Sequence, residues 1–249
     1  VININKMYFY NTSTRAFAII GKLEAYGALE LTIVDSTFMR ASPSSVSGGV
    51  LTIVVEDFVS LLSYVKIKIL GCIFQGSYVS TGGGSIYIGM ASKTKGQFIV
   101  LNSIFRNNRA KTGGSIYLSG SFSSEIKNST FVISKQFSFN AFSSDSDVLF
   151  IYSKHLVSLQ DVQIICKSMI CNQRTLVQMG QQMVYNTLIN YSQECSQWSF
   201  PNLQFDFEGH NTGPGGVTFL QTKCTKCPGS FYHRGSASFS VKYNNKYFG

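Results

Sequence analysis

Twelve acidic side chains, three histidines and six cysteines are all that this sequence offers for acid–base, metal or thiol chemistry. Asp145 and Asp147 lie close together and Glu56-Asp57 are adjacent, and a polysaccharide-cleaving site would need such acids to face each other across a bond. Neither pair has an obvious acidic neighbour at the repeat distance described below, so both read as loop acids. Cys224 and Cys227 with His233 have a zinc-like spacing. A structural zinc site takes four ligands, and no second Cys-x-x-Cys follows, so a disulfide is the favoured reading. His155 and His210 belong to no nucleophile motif, and no HExxH or phosphate-loop pattern is present. No catalytic residue, metal or cofactor is assigned.

The remaining cysteines and the sequons speak of compartment. Cys166, Cys171 and Cys195 fall near one another in sequence, and a bridge between two of these three is expected without its partners being fixed. Sequons stand at Asn11, Asn128 and Asn190. Together these features point to an oxidising, extracellular or cell-surface setting. Cys72 is different, because it takes a place held elsewhere by serine and reads as a buried free thiol.

The elements that would position any site come from a repeat. A turn-capable residue, a small one, any residue and a large apolar one recur as Asp35-Ser36-Thr37-Phe38, Gly71-Cys72-Ile73-Phe74, Asn102-Ser103-Ile104-Phe105 and Asn128-Ser129-Thr130-Phe131. Asp161 and Asn186 open looser copies. An apolar residue precedes each by two: Ile33, Ile69, Val100, Ile126, Leu159 and Val184. Four before stand Leu31, Ile67, Phe98 and Val157, while Ser124 and Gln182 break the pattern. A first copy, Ile2-x-Ile4-x-Lys6-x-x-Phe9, fits in outline. From Asp35 to Asn186 the steps are 36, 31, 26, 33 and 25 residues. A second segment follows most copies, led by Gly48-Gly49, Gly83-Gly84 or Gly113-Gly114.

Alternation with period two marks strands half buried against a core. Asp35, Gly71, Asn102, Asn128, Asp161 and Asn186 belong to the residue types that tolerate a left-handed backbone, as a sharp corner in the same place on every copy would require. Stacked Asn side chains could also hydrogen-bond along the copies. The Gly-Gly pairs mark a second corner of close backbone approach, and Tyr87 and Tyr117 are expected to stack between adjacent copies. The fold predicted is all-β, a right-handed parallel β-helix of about seven coils. A β-sandwich or jelly roll is the alternative, but hairpin turns at short spacing are missing. In this register Asp35 and Asp161 stand four coils apart, roughly 19 Å at about 4.8 Å per strand. That exceeds the roughly 5–9.5 Å of a glycosidase carboxyl pair.

Phe105-Arg106-Asn107-Asn108 followed by Gly113-Gly114-Ser115-Ile116 resembles the paired FxxN and GGA[ILV] motifs of polymorphic outer-membrane proteins, in the pectin-lyase-like class of β-helices. Similar repeats occur in large surface proteins of protists such as ciliates. The copies at Phe74 and Phe38 keep the glycines but carry Ser77 and Ala41 in place of the Asn, and Ser115 replaces the family's Ala. The resemblance covers residues 29–135 and implies a secreted or surface β-helix with no catalytic residue. Cys224-Thr225-Lys226-Cys227-Pro228-Gly229-Ser230-Phe231-Tyr232 resembles the opening of a CxxCPxGxY extracellular module. The organisation expected is a β-helix over 1–222, with an insertion at about 190–214, and the start of a Cys-rich module over 223–249.

Phe and Tyr are abundant and only 13% of residues are charged, while the net charge of +9 comes from scattered lysines and arginines rather than one run. A nucleic-acid reader concentrates its basic residues, so no nucleic-acid partner is expected. The opening Val1-Ile2-Asn3-Ile4-Asn5 reads as mid-strand and points to a piece of a longer protein. Any membrane attachment would come from parts outside this chain. The function expected is structural or adhesive, a rod, array or filament formed with itself or with other surface proteins and with glycans as further partners. A carbohydrate-active enzyme using Asp145 or Asp147, a glycan-binding β-helix and a receptor ectodomain are the competing readings.

Overall fold

Short alternating segments bounded by left-handed residues fold as strands, and strands with their turns are what the described chain contains. The computed structural model describes residues 1–10, 16–22, 28–41, 47–56, 64–90, 94–133, 148–153, 155, 157–166, 177–179, 188–193, 199–206 and 218–226. In chain order come β1 (Ile2–Asn5), β2 (Tyr8–Tyr10), β3 (Phe17–Lys22), β4 (Ala28–Val34), β5 (Thr37–Met39) and β6 (Leu51–Glu56). Next are β7 (Tyr64–Leu70), β8 (Ile73–Gln75), β9 (Ile86–Met90), β10 (Lys95–Leu101), β11 (Ile104–Arg106) and β12 (Ile116–Lys127). Then follow β13 (Thr130–Ile133), β14 (Leu149–Ser153), β15 (Val157–Gln160), β16 (Val162–Cys166) and β17 (Val177–Met179). The last are β18 (Leu188–Gln193), β19 (Ser199–Asp206) and β20 (Thr218–Lys226).

The strands recur in threes, and each set of three forms a rung that pairs with the next. β1, β4, β7, β10, the second part of β12 and β15 make one parallel stack. β2, β5, β8, β11, β13, β16, β18 and β20 make a second. β3, β6, β9, the first part of β12, β14 and β17 make a third. Every pairing is parallel except β19 with β20, which closes the edge of the second stack antiparallel. Parallel pairing from rung to rung is the opposite of a hairpin-built sandwich or jelly roll. The antiparallel pair was not foreseen, and it places part of the expected 190–214 insertion, Ser199–Asp206, in a sheet. β12 runs through the corner between the third and first stacks without a loop, bending at Gly120 (φ +138°).

The core is built of columns, because equal positions on successive rungs face the same interior. Ile33, Ile69, Val100, Ile126 and Leu159 form one column, fully shielded from solvent. Phe38, Phe74, Phe105 and Phe131 form another, with ring centroids 5.1, 4.9 and 4.8 Å apart and planes within 17°. Such pairs add about 0.5–1.5 kcal/mol each beyond area burial. The break at Ser124 has a packing reason. Phe98 stands beside Ser124 and Phe122 beside Gly96 in register, so large and small residues interdigitate. A Cβ on Gly96 would come within 2.7 Å of the Phe122 ring.

The corners are where the backbone is constrained. Lys6, Asp35, Gly71, Asn102, Asn128 and Asp161 all have positive φ, from +46° to +63°. Each of the first five also donates its N–H to a carbonyl of the following rung, for example Asp35 N to Leu70 O at 2.9 Å and Asn102 N to Lys127 O at 3.1 Å. Asn186 lies outside the described residues. A second left-handed row, Arg40, Gly76 and Asn107 (φ +54°, +69° and +52°), turns the chain out of the second stack, and no sequence signal singled it out.

The glycine corner combines both constraints. Gly48, Gly83 and Gly113 have φ of +64°, +64° and +59°. Their neighbours Gly49 and Gly84 are needed for space, because a Cβ there would strike the carbonyl oxygens of Gly84 and Gly114 on the next rung.

A left-handed position tests this account directly. Asn102→Gly should leave the denaturant midpoint nearly unchanged, whereas Asn102→Val should cost about 1–2 kcal/mol in urea unfolding.

Candidate functional site

After four of the six left-handed corners the next residue is buried and small, Ser36, Cys72, Ser103 and Ser129, whereas Met7 and Val162 follow Lys6 and Asp161. Ser36 Oγ accepts from the N–H of Met7 on the rung before (3.0 Å) and donates to Val34 O on its own rung (2.8 Å). Ser103 Oγ accepts from Cys72 N (3.2 Å) and donates to Leu101 O (2.9 Å). Ser129 Oγ accepts from Ser103 N (3.2 Å) and donates to Lys127 O (2.9 Å). Cys72 fills the gap in this row, with its Sγ 3.3 Å from Leu70 O and a hydrogen bond from the Ser36 backbone. It is a buried free thiol. The side-chain ladder therefore runs through the serines and this cysteine, one residue on from the Asn positions expected to carry it.

The Asn of the FxxN motif has an equally local task. Asn108 is buried; its Oδ1 accepts from Ser77 N and its Nδ2 donates to Phe74 O, both at 3.0 Å and both on the preceding rung. Ser77, which stands in the Asn position one rung earlier, has a buried Oγ with no partner among the described residues. Ser85 and Ser124 share that condition.

Those of the residues considered for chemistry that are described do not converge. Asp35 and Asp161 are both exposed corner residues with three rungs between them. Among the described residues no three His, Cys, Asp or Glu side chains could hold a metal ion. Asp145, Asp147, Asp57, His210 and His233 lie outside the described residues, as do Asn11, Cys171, Cys195 and Cys227. Cys166 ends β16, with its Cα paired to that of Gln193, and Cys224 pairs with Pro201. Asn190 lies in β18, and of the three sequon asparagines Asn128 alone has a described side chain, exposed at its corner.

One surface gathers aromatic, basic and hydroxyl groups. Tyr87 and Tyr117 stack across adjacent rungs with centroids 4.7 Å apart and planes 9° from parallel. Burial, with a smaller effect of Tyr117, pushes the Tyr87 phenol above its usual range. Ser47 Oγ lies 3.1 Å from Thr81 Oγ1 nearby. On the approach to this corner the Arg40 guanidinium sits 5.9 Å over the Tyr10 ring, and Arg109 sits 5.6 Å over Tyr78. Arg40 also reaches the Tyr10 hydroxyl at 3.5 Å. Arg40 and Arg109 look scattered in the sequence because they come from different rungs, each over a tyrosine of the rung before.

Two outcomes follow from the ladder. Ser103→Ala strands the buried Cys72 N–H and should cost about 1–3 kcal/mol, while Ser85→Ala removes an unpartnered hydroxyl and should be neutral or stabilising in the same unfolding assay. Burial likewise raises the Cys72 thiol above its usual range. Folding thus favours the protonated forms of Cys72 and Tyr87. Their contribution is complete below the ordinary thiol and phenol values and lost as pH rises through the raised ones. Melting temperature should therefore fall on the alkaline side, and Cys72→Ser, which restores serine to the row, should move the onset of that fall to higher pH.

No family model, curated protein or solved structure matches this chain.

Proposed function

We propose that this chain is part of an extracellular or cell-surface structural or adhesive protein, a right-handed parallel β-helix of about seven coils that serves as a rigid rod within a larger assembly. The observation that supports this most is the first rung. β1, β2 and β3 pair on one side only, and Ile2, Tyr8, Tyr10 and Ile20 are 41%, 66%, 50% and 60% exposed. In the same rung Ile4 and Phe9 occupy core columns that are fully shielded on the next rung, at Ile33 and Phe38, yet they remain only partly buried. Unpaired parallel edges backed by core-type residues are templates for a further rung. The repeated corners, serine row and phenylalanine column favour stiffness, which suits a load-bearing or spacing role.

Self-association tests this reading. The chain should associate through this edge into larger species as concentration rises, and Ile2→Lys with Ile20→Lys should reduce that association at unchanged secondary structure. A monomer at every concentration, unaffected by the two lysines, would remove assembly through this edge from the proposal. Labelling of intact cells with a membrane-impermeant reagent tests the surface location separately.

A further inference from the structure

Two phenols stand in contact on the outer face of the third stack. Tyr87 in β9 and Tyr117 in β12 are register partners, thirty residues apart along the chain. Their ring centroids are 4.7 Å apart and their planes 9° from parallel, so the rings follow the rise from rung to rung. A Cβ on Gly82 would lie 3.3 Å from Tyr117 Cδ2 and 3.4 Å from Tyr87 Cδ2 and Cε2. The same edge of each ring therefore faces the same glycine, which sets ortho carbon over ortho carbon. Both tyrosines are half-buried and so partly open to solvent. We propose that Tyr87 and Tyr117 are a modification site, joined as dityrosine between adjacent rungs when a haem peroxidase with hydrogen peroxide oxidises them.

The step balances without any group from the chain beyond the two rings. Each phenol gives one electron to the peroxidase and its hydroxyl proton to water. The unpaired spin of a phenoxyl radical is shared by the oxygen and the ortho and para carbons, and Cβ blocks the para carbon. A bond forms between a Cε of Tyr87 and a Cε of Tyr117. Each bonded carbon then loses its hydrogen as a proton, and each oxygen takes one back. Two electrons and two protons leave the pair, and hydrogen peroxide takes them up as two waters.

The surroundings single out this pair. Gly89 lies two residues after Tyr87 in β9, and a Cβ there would meet Tyr87 Cε1 at 3.4 Å and its hydroxyl at 3.6 Å. Glycine leaves that place open and gives the ring room to tilt toward Tyr117. On the rung before, the register partner of Tyr87 is Thr52, whose hydroxyl donates to Ser47 O at 3.0 Å. Tyr117 is therefore the oxidisable ring that a Tyr87 radical meets. The Tyr8 and Tyr10 rings are farther apart, at 6.4 Å, and Tyr10 and Tyr78 each carry an arginine over the ring. The phenylalanine column has a similar spacing but offers neither hydroxyl nor exposure. A link at Tyr87 and Tyr117 closes a loop and so restricts the unfolded chain. The inference goes beyond the structural reading above and needs neither assembly nor a particular compartment.

The 249-residue chain, mixed with an equal amount of isotope-labelled chain, would be treated with a haem peroxidase and hydrogen peroxide, digested and mapped by mass spectrometry. The expected product joins Tyr87 to Tyr117 with the loss of two hydrogens. Both halves come from one isotope pool, and the yield does not depend on protein concentration. The oxidised chain should show dityrosine fluorescence and a higher urea midpoint than the untreated chain. Tyr87→Phe and Tyr117→Phe keep the stacked rings, and each should lose the link and the midpoint shift, while Tyr64→Phe keeps both. No dityrosine, links that join other tyrosines in its place, or mixed-isotope links at Tyr87 and Tyr117 would overturn the inference. The map on the unaltered chain decides the matter even where a phenylalanine variant does not fold. Loss of association through the first rung leaves this result standing, and loss of the link leaves the association.

Discussion

The structure depends on a backbone constraint rather than on any single side-chain contact. At one place in each rung the chain must enter the left-handed region, and it must do so at the same height as its neighbours. If that holds, the residue before the corner and the residues after it alternate inward and outward in step with the rungs on either side. The Ile33 column, the phenylalanine column and the serine row are all consequences of that shared register. If it fails by one residue, inward and outward positions exchange and the columns dissolve.

Much of this was legible in the amino-acid order. Asp, Gly and Asn at one recurring position are an unusual set with one physical property in common, and the parallel strands follow from recurrence without hairpin turns. The second left-handed row was hidden because only Gly76 and Asn107 in it have a left-handed preference; Arg40 adopts its φ because the flanking strands require it. Lys6 is a similar case, and only its place before Phe9 marks it as a corner. The antiparallel edge of β19 and β20 lay in a stretch whose period had already been lost.

Ser124 shows why a broken pattern need not mean a broken fold. Column bulk is conserved across two rungs and two positions, so Phe98 and Phe122 supply what Ser124 and Gly96 omit. Reading one strand at a time registers the deficit and misses the supply.

The serine row also has a direction. Each hydroxyl satisfies an amide on the rung before it, while its own proton goes to its own rung, so a rung depends on its successor for this bond and supplies one to its predecessor. Any rung with a small polar residue at that place is an acceptable successor to any other. Such a chain can change length by whole units, losing or duplicating one at equivalent corners, without leaving an amide unserved at the join. Reach is therefore a quantity that inheritance can adjust in steps of a single rung while the cross-section stays the same.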